Sequence, residues 1–184
     1  MQLTSTRLLL RPLAIGDADD LYRIYGDPET NTFNPAGPYP SLHYAQQRLA
    51  VWMAEYERYG YGNWAIALRE TPARIVGFAG ITVRELEGAL THNLGYRFSP
   101  ETWGKGIASE FCHFALGYAF TTLDLREVTA VVRPAHLASQ RVLEKAGMIK
   151  TATVNDVPNA DPSLVYRLTS LQWRDHDSRR SGDS

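Results

Sequence analysis

The residues Trp103-Gly104-Lys105-Gly106-Ile107-Ala108-Ser109 are the part of this chain best suited to chemistry. Two glycines without Cβ atoms let a ligand approach the main chain closely. The helix-forming run that follows would supply unpaired N–H groups and the positive end of a helix macrodipole, a combination that suits a phosphate. Lys105 would then add charge at the rim. The same pattern also serves a plain strand-to-helix turn that binds nothing. Two nucleotide motifs fail by inspection. A Walker loop needs G-x-x-x-x-G-K-[ST], whereas Lys105 is followed by glycine, and a dinucleotide fingerprint needs a third glycine that is missing.

A second stretch, "PAHLASQRVLEKAGM", lies about thirty residues further on and carries Ser139 at the expected start of a helix. There its hydroxyl can cap the backbone or reach into a groove between two parallel strands. The two stretches together are far more specific than either alone.

The elements that must position them follow from periodicity. "RLLLRPL" reads as a first strand and "DADDLYRIYGDP" as a short helix capped by Asp17, with Ala18, Leu21 and Tyr25 on one face. Ser41 opens a second helix in which Ala45, Leu49, Trp52, Tyr56 and Tyr59 recur at helical spacing. "NWAIAL", "RIVGFAGITV" and "HNLGYRF" read as strands, the first two joined as a hairpin through "RETPAR". A helical pattern runs from Gly104 to about Phe120, followed by the strand "EVTAVV", a helix closed by Gly147, and strands near 149–154 and 164–172. The order β-α-α-β-β-β-α-β-α-β-β implies one parallel crossover within an otherwise antiparallel, mixed sheet. Residues 1–174 read as a single domain and the polar stretch 175–184 as a disordered tail.

The chain has 184 residues, 44% hydrophobic and 21% charged, enough for one core without disulfide or metal staples. A net charge of −1 gives no nucleic-acid footprint and no polybasic membrane anchor. The single cysteine, Cys112, excludes an internal disulfide and a multi-cysteine zinc site. No window reaches the roughly 18 apolar residues of a membrane span, and a cytoplasmic protein is the expectation.

On these residues the chain resembles the GCN5-related N-acetyltransferases (GNAT), and within them the ribosomal-protein alanine acetyltransferase (RimJ/RimL) branch. "TSTRLLLRPL…DADDLYRIYGDPE" is similar to that branch's opening, "NLGYRFSPETWGKGIASE" to its acetyl-CoA motif and "HLASQRVLEKAGM" to the motif after it. The resemblance spans residues 3–172 and implies a GNAT fold of the α/β (α+β) class. That fold has a mixed, mostly antiparallel sheet of about seven strands flanked by about four helices, with a splayed parallel strand pair holding the cofactor. It also implies acetyl-CoA as cosubstrate, no metal, an amine acceptor and a monomer or homodimer.

Residue by residue, the resemblance places the coenzyme A pyrophosphate on the backbone of Trp103-Gly104-Lys105-Gly106-Ile107-Ala108. Trp103 stands where many relatives carry Gln or Arg, and Ser109 is placed to add a hydroxyl. Backbone groups of Phe98 and Ser99 would pair with the pantetheine arm. The branch's N-x-x-S motif reads His136-Leu137-Ala138-Ser139, with His136 replacing the asparagine that touches the arm. His136 either still bonds the arm or is a solvent-exposed substitution.

The resemblance further implies direct attack by a neutral amine in a ternary complex. Ser139 is then the candidate acid for the departing thiolate, against a purely capping role. Glu85, Glu87 and His92 are candidate bases, each also readable as a solvated loop residue. Tyr39 and Tyr56 are candidates for lining the acceptor pocket, while Trp52 reads as core. The remaining alternative is a GNAT-fold module that binds acyl-CoA without turnover.

Overall fold

The structure is a computed structural model and describes residues 1–182. Its eight strands form one mixed sheet in the order β1-β2-β3-β4-β5-β6-β8-β7. In chain order they are β1 (Leu3–Thr4), β2 (Leu8–Pro12), β3 (Asn63–Leu68), β4 (Ile75–Leu86), β5 (Ala89–Phe98), β6 (Glu127–Val132), β7 (Ile149–Val154) and β8 (Ser163–Thr169). The helices are α1 (Ala18–Tyr25), α2 (Leu42–Tyr59), α3 (Ile107–Thr121), α4 (Leu137–Lys145) and α5 (Ser170–Gly182). β5 and β6 are the parallel pair, with Asn93 opposite Thr129, as the crossover through α3 requires. The two elements absent from the sequence reading are the two-residue β1 and the helix α5.

The chain forms two compact units. One comprises Met1–Thr82 with Gly95–Phe111, the other Val83–Leu94 with the chain from Cys112 onward. In the first unit β2, β3 and β4 pair antiparallel, with Leu8 opposite Leu68 and Trp64 opposite Ala79. Residues 64–67 and 75–81 are buried on both faces of their strands, so these segments read as continuous apolar runs rather than alternating ones. α1 and α2 close one face through Leu21, Ile24, Ala45, Leu49 and Trp52, which cluster with Phe78.

Ser41 caps α2 as expected, its Oγ accepting the Tyr44 N–H at 3.1 Å. Asp17 does not cap α1. Its buried carboxylate instead accepts from the Arg11 guanidinium at 2.6 and 2.9 Å and from the Ala14 N–H at 2.7 Å. A buried carboxylate needs a cation more than a helix end needs a cap, and Arg11 on the neighbouring strand supplies one.

In the second unit β8 lies between β6 and β7, antiparallel to both, with Ala130 opposite Tyr166 and Lys150 opposite Tyr166 on the other side. The Tyr166 hydroxyl donates to Glu144 Oε1 of α4 at 2.8 Å. Residues 175–182, read from composition as a disordered tail, continue α5; positions 183 and 184 lie outside the described residues. The physical reason is local docking that a composition average hides. Trp173 packs on Phe120 of α3 with ring centroids 5.6 Å apart, and Arg180 reaches the His113 ring at 3.0 Å.

Trp52 is 9% exposed and meets Tyr25 edge-on at 5.5 Å, so it is core, as its helical spacing indicates. Trp52→Ala is expected to lose about 3–5 kcal/mol of stability in urea unfolding. A loss below about 1 kcal/mol contradicts that placement.

Candidate active site

β5 ends at Phe98, and a short 3-10 turn, Pro100–Thr102, leads into the glycines. This approach is tightly tied. The Ser99 N–H donates to the Val76 carbonyl at 2.7 Å, and the Ser99 carbonyl accepts the Thr102 N–H at 3.0 Å. That carbonyl also accepts the Thr102 hydroxyl at 2.9 Å, while the Phe98 carbonyl accepts the Trp103 indole N–H at 3.0 Å. Three of the main-chain groups expected to face a pantetheine arm therefore already have partners inside the first unit. Trp103, expected only as a motif position, spends its polar atom closing this turn and leaves its ring about half exposed.

Gly104 and Gly106 both hold left-handed backbone, with φ of 74° and 75°. Side-chain-bearing residues avoid this region, so the two glycines are required by the turn itself. A Cβ on Gly104 would meet nothing within 4 Å, and one on Gly106 would meet only Arg7 Nη2 at 3.4 Å. At Gly104 the main chain is thus open where a side chain would stand, while at Gly106 that direction faces Arg7. The Gly106 carbonyl accepts the Glu110 N–H at 3.0 Å and starts the α3 ladder. The N–H groups of Ile107, Ala108 and Ser109 precede that first bond, which leaves them for a ligand or solvent.

Two residues that the motif reading missed fasten this turn. Arg7, just before β2, donates through Nη1 to the Lys105 carbonyl at 2.8 Å and through Nε to Glu110 Oε1 at 2.7 Å. Glu110 Oε2 accepts the Arg7 main-chain N–H at 2.8 Å and the Ser5 hydroxyl. Burial alone would raise the Glu110 carboxyl, but these donors outweigh it and hold it below the usual carboxylate range. A cavity of about 500 Å³ opens beside the turn, and its lining sets Arg7, Arg69, Arg74 and Lys105 against Glu70 and Glu101. That surplus of positive charge suits an anion.

The acid and base candidates and the second motif belong to the second unit, whereas Tyr39 and Tyr56 lie in the first, Tyr39 packed against its core. Glu85 is exposed near the end of β4, and Glu87 stands in the tight β4–β5 turn with φ of 51°. His92 is half-buried on β5, and burial lowers its pKa. His136 is the N-cap residue of α4 but makes no side-chain cap bond. Ser139 is therefore the third residue of α4 rather than its cap. Beside His92, Asn93 carries a buried Oδ1 with no partner among the described residues, which residue spacing gave no means of finding. Cys112 is fully buried and its thiol is pushed far up by desolvation, so it is no nucleophile. Among the described residues no group of three or more His, Cys, Asp or Glu could hold a metal.

A family profile described as "Acetyltransferase (GNAT) domain" matches residues 7–149. The chain belongs to this family. GNAT membership makes it an acetyltransferase, in agreement with the mixed sheet and its parallel β5–β6 pair. It is 28% identical over 173 residues to an uncharacterised N-acetyltransferase, p20, of Bacillus licheniformis, covering 92% of this chain and 96% of that protein. An acetyltransferase structure from Agrobacterium tumefaciens superposes with a TM-score of 0.74 at 30% identity, covering 91% of this chain and 94% of that one. A ribosomal-protein-serine acetyltransferase from Vibrio cholerae shares the fold, with a TM-score of 0.74 at 19% identity over 92% and 97% of the two chains.

Because Glu110 titrates lower in the folded GNAT domain than in the unfolded chain, its contribution is complete above the ordinary glutamate value of about 4.3 and fades as pH falls through the folded value. The Tm gap between wild type and Glu110→Gln is expected to be widest near neutral pH and to close below about pH 4. A gap that widens on acidification contradicts the assignment.

Proposed function

We propose that this chain transfers the acetyl group of acetyl-CoA to a primary amine, by direct attack with both substrates bound. The observation that carries the reading is the bare, left-handed Gly104–Gly106 turn opening α3, in a chain of the GNAT family. The turn fits a pyrophosphate because no Cβ intrudes and successive N–H groups precede the helical ladder. Acetyl-CoA supplies the thioester when bound.

Direct attack requires the amine as a neutral nucleophile, a proton acceptor for it, and a proton for the departing thiolate. As the amine nitrogen bonds the carbonyl carbon, the C–S bond breaks. Asn93 Oδ1, buried and without a donor among the described residues, suits the N–H of an arriving amine, since an unpaired buried carbonyl oxygen is costly until a ligand satisfies it. His92 is the better base of the candidates: burial favours its neutral form, which can take a proton, whereas Glu85 is exposed. Ser139 is the proposed acid, because His136 occupies the cap position that would otherwise account for it.

The acceptor is a protein N-terminus or a small amine. The resemblance to the ribosomal-protein acetylases favours the former, and the Vibrio cholerae neighbour supports only a common fold. Oligomeric state and cytoplasmic location remain expectations from the sequence.

Release of free thiol from acetyl-CoA, measured over a panel of amines and N-terminal peptides, tests the reading. Turnover with at least one acceptor is expected; tight acetyl-CoA binding without release for any acceptor favours the binding-module alternative. Ser139→Ala is expected to lower kcat about a hundredfold with little change in the acetyl-CoA KM, and full turnover removes Ser139 from the chemistry. Asn93→Ala is expected to raise the amine KM about tenfold, and an unchanged amine KM excludes it from acceptor binding.

A further inference from the structure

A trans peptide points its C=O and the following N–H in opposite directions. In the Lys105–Gly106 peptide the carbonyl faces the Arg7 guanidinium, so the Gly106 N–H faces away from Arg7. Apart from Arg7, no hydrogen bond among the described residues holds that orientation. Gly106 tolerates positive and negative φ nearly equally, so a flip of this peptide plane meets little steric resistance. A flip would exchange a donor for a carbonyl oxygen on the exposed side, where it would repel an anion. The bareness that admits a phosphate therefore also leaves its donors unfixed.

We infer that Arg7, held by Glu110, is the positioning residue that locks the Lys105–Gly106 peptide with its N–H outward, and so sets the affinity of the turn for a phosphate-bearing substrate. This rests on the pyrophosphate reading above. Arg7 is suited to the role because its guanidinium presents several donors in a fixed fork. One reaches the Lys105 carbonyl while Nε is engaged by Glu110 Oε1. The main-chain N–H of Arg7 and the Ser5 hydroxyl both bind Glu110 Oε2, so the carboxylate fixes the guanidinium at its base as well as at its head. Gly106 lies close enough that an added Cβ would touch Arg7 Nη2, so the guanidinium sits directly behind the plane it fixes. Arg7 faces the carbonyl side of this peptide, and the charge it also lends the neighbouring cavity is kept in Arg7→Lys, which loses only the fork.

The test compares two acetyl donors, acetyl-CoA and S-acetylpantetheine, the second of which lacks every phosphate. In the wild type acetyl-CoA is expected to have the lower KM. In Arg7→Met the ratio of the two KM values is expected to shrink about tenfold, the equivalent of one charge-assisted hydrogen bond. A purely structural role for Arg7 moves both KM values together and leaves the ratio intact, which overturns the inference. Arg7→Lys keeps the charge and most of the stem but loses the fork. It covers the case in which the Met variant fails to fold: a partial fall in the ratio is expected, and an unchanged ratio overturns the inference. A wild type that does not distinguish the two donors overturns the pyrophosphate reading itself. A wild type that does, alongside Arg7 variants that still do, overturns only the lock.

Discussion

The turn at residues 103–106 has to redirect the chain into α3 while leaving the first N–H groups of that helix facing outward, and left-handed backbone at Gly104 and Gly106 makes both possible. The neighbouring contacts serve this constraint. Ser99 and Thr102 fix the approach, the Trp103 indole closes it on the Phe98 carbonyl, and Arg7 with Glu110 anchors the far side. Glycine at these positions costs conformational freedom, and the surrounding hydrogen bonds offset that cost by ordering the turn from residues that are not themselves in it.

The glycine pair was legible because the requirement is local. Positive φ demands the absence of a Cβ, so the pair reads as a tight turn without reference to the fold, whereas a ligand there is indicated only together with the second stretch and the family resemblance. The strands were legible for a similar reason, since "NWAIAL" and "HNLGYRF" carry their β character in consecutive residues. The Arg7 link to Lys105 joins positions 98 apart in sequence, and no periodicity spans that distance. An exposed-looking arginine before a strand and a glutamate in a first helical turn each have ordinary solvated readings, and only their meeting gives them a role.

Asp17 and the C-terminal segment show how a sound local rule is overridden. Asp17 has the right chemistry for a cap, but a buried carboxylate beside Arg11 gains more from the ion pair. "RDHDSRRSGDS" has the composition of a free tail, yet Trp173 just before it docks on Phe120 and carries the following residues into helix. Composition averages over residues, whereas docking depends on one. Asn93 illustrates a third case, because an unpartnered buried oxygen becomes visible only once burial is known residue by residue.

Cys112 is the only cysteine in the chain, and it is buried within α3 with a thiol that desolvation keeps protonated. The native protein therefore contributes no accessible sulfhydryl of its own. A disulfide-exchange dye added to the folded protein therefore finds no thiol of the chain's own to report. The same seal keeps peroxide oxidation from starting at Cys112, since the ladder from sulfenate to sulfonate begins with an exposed thiolate.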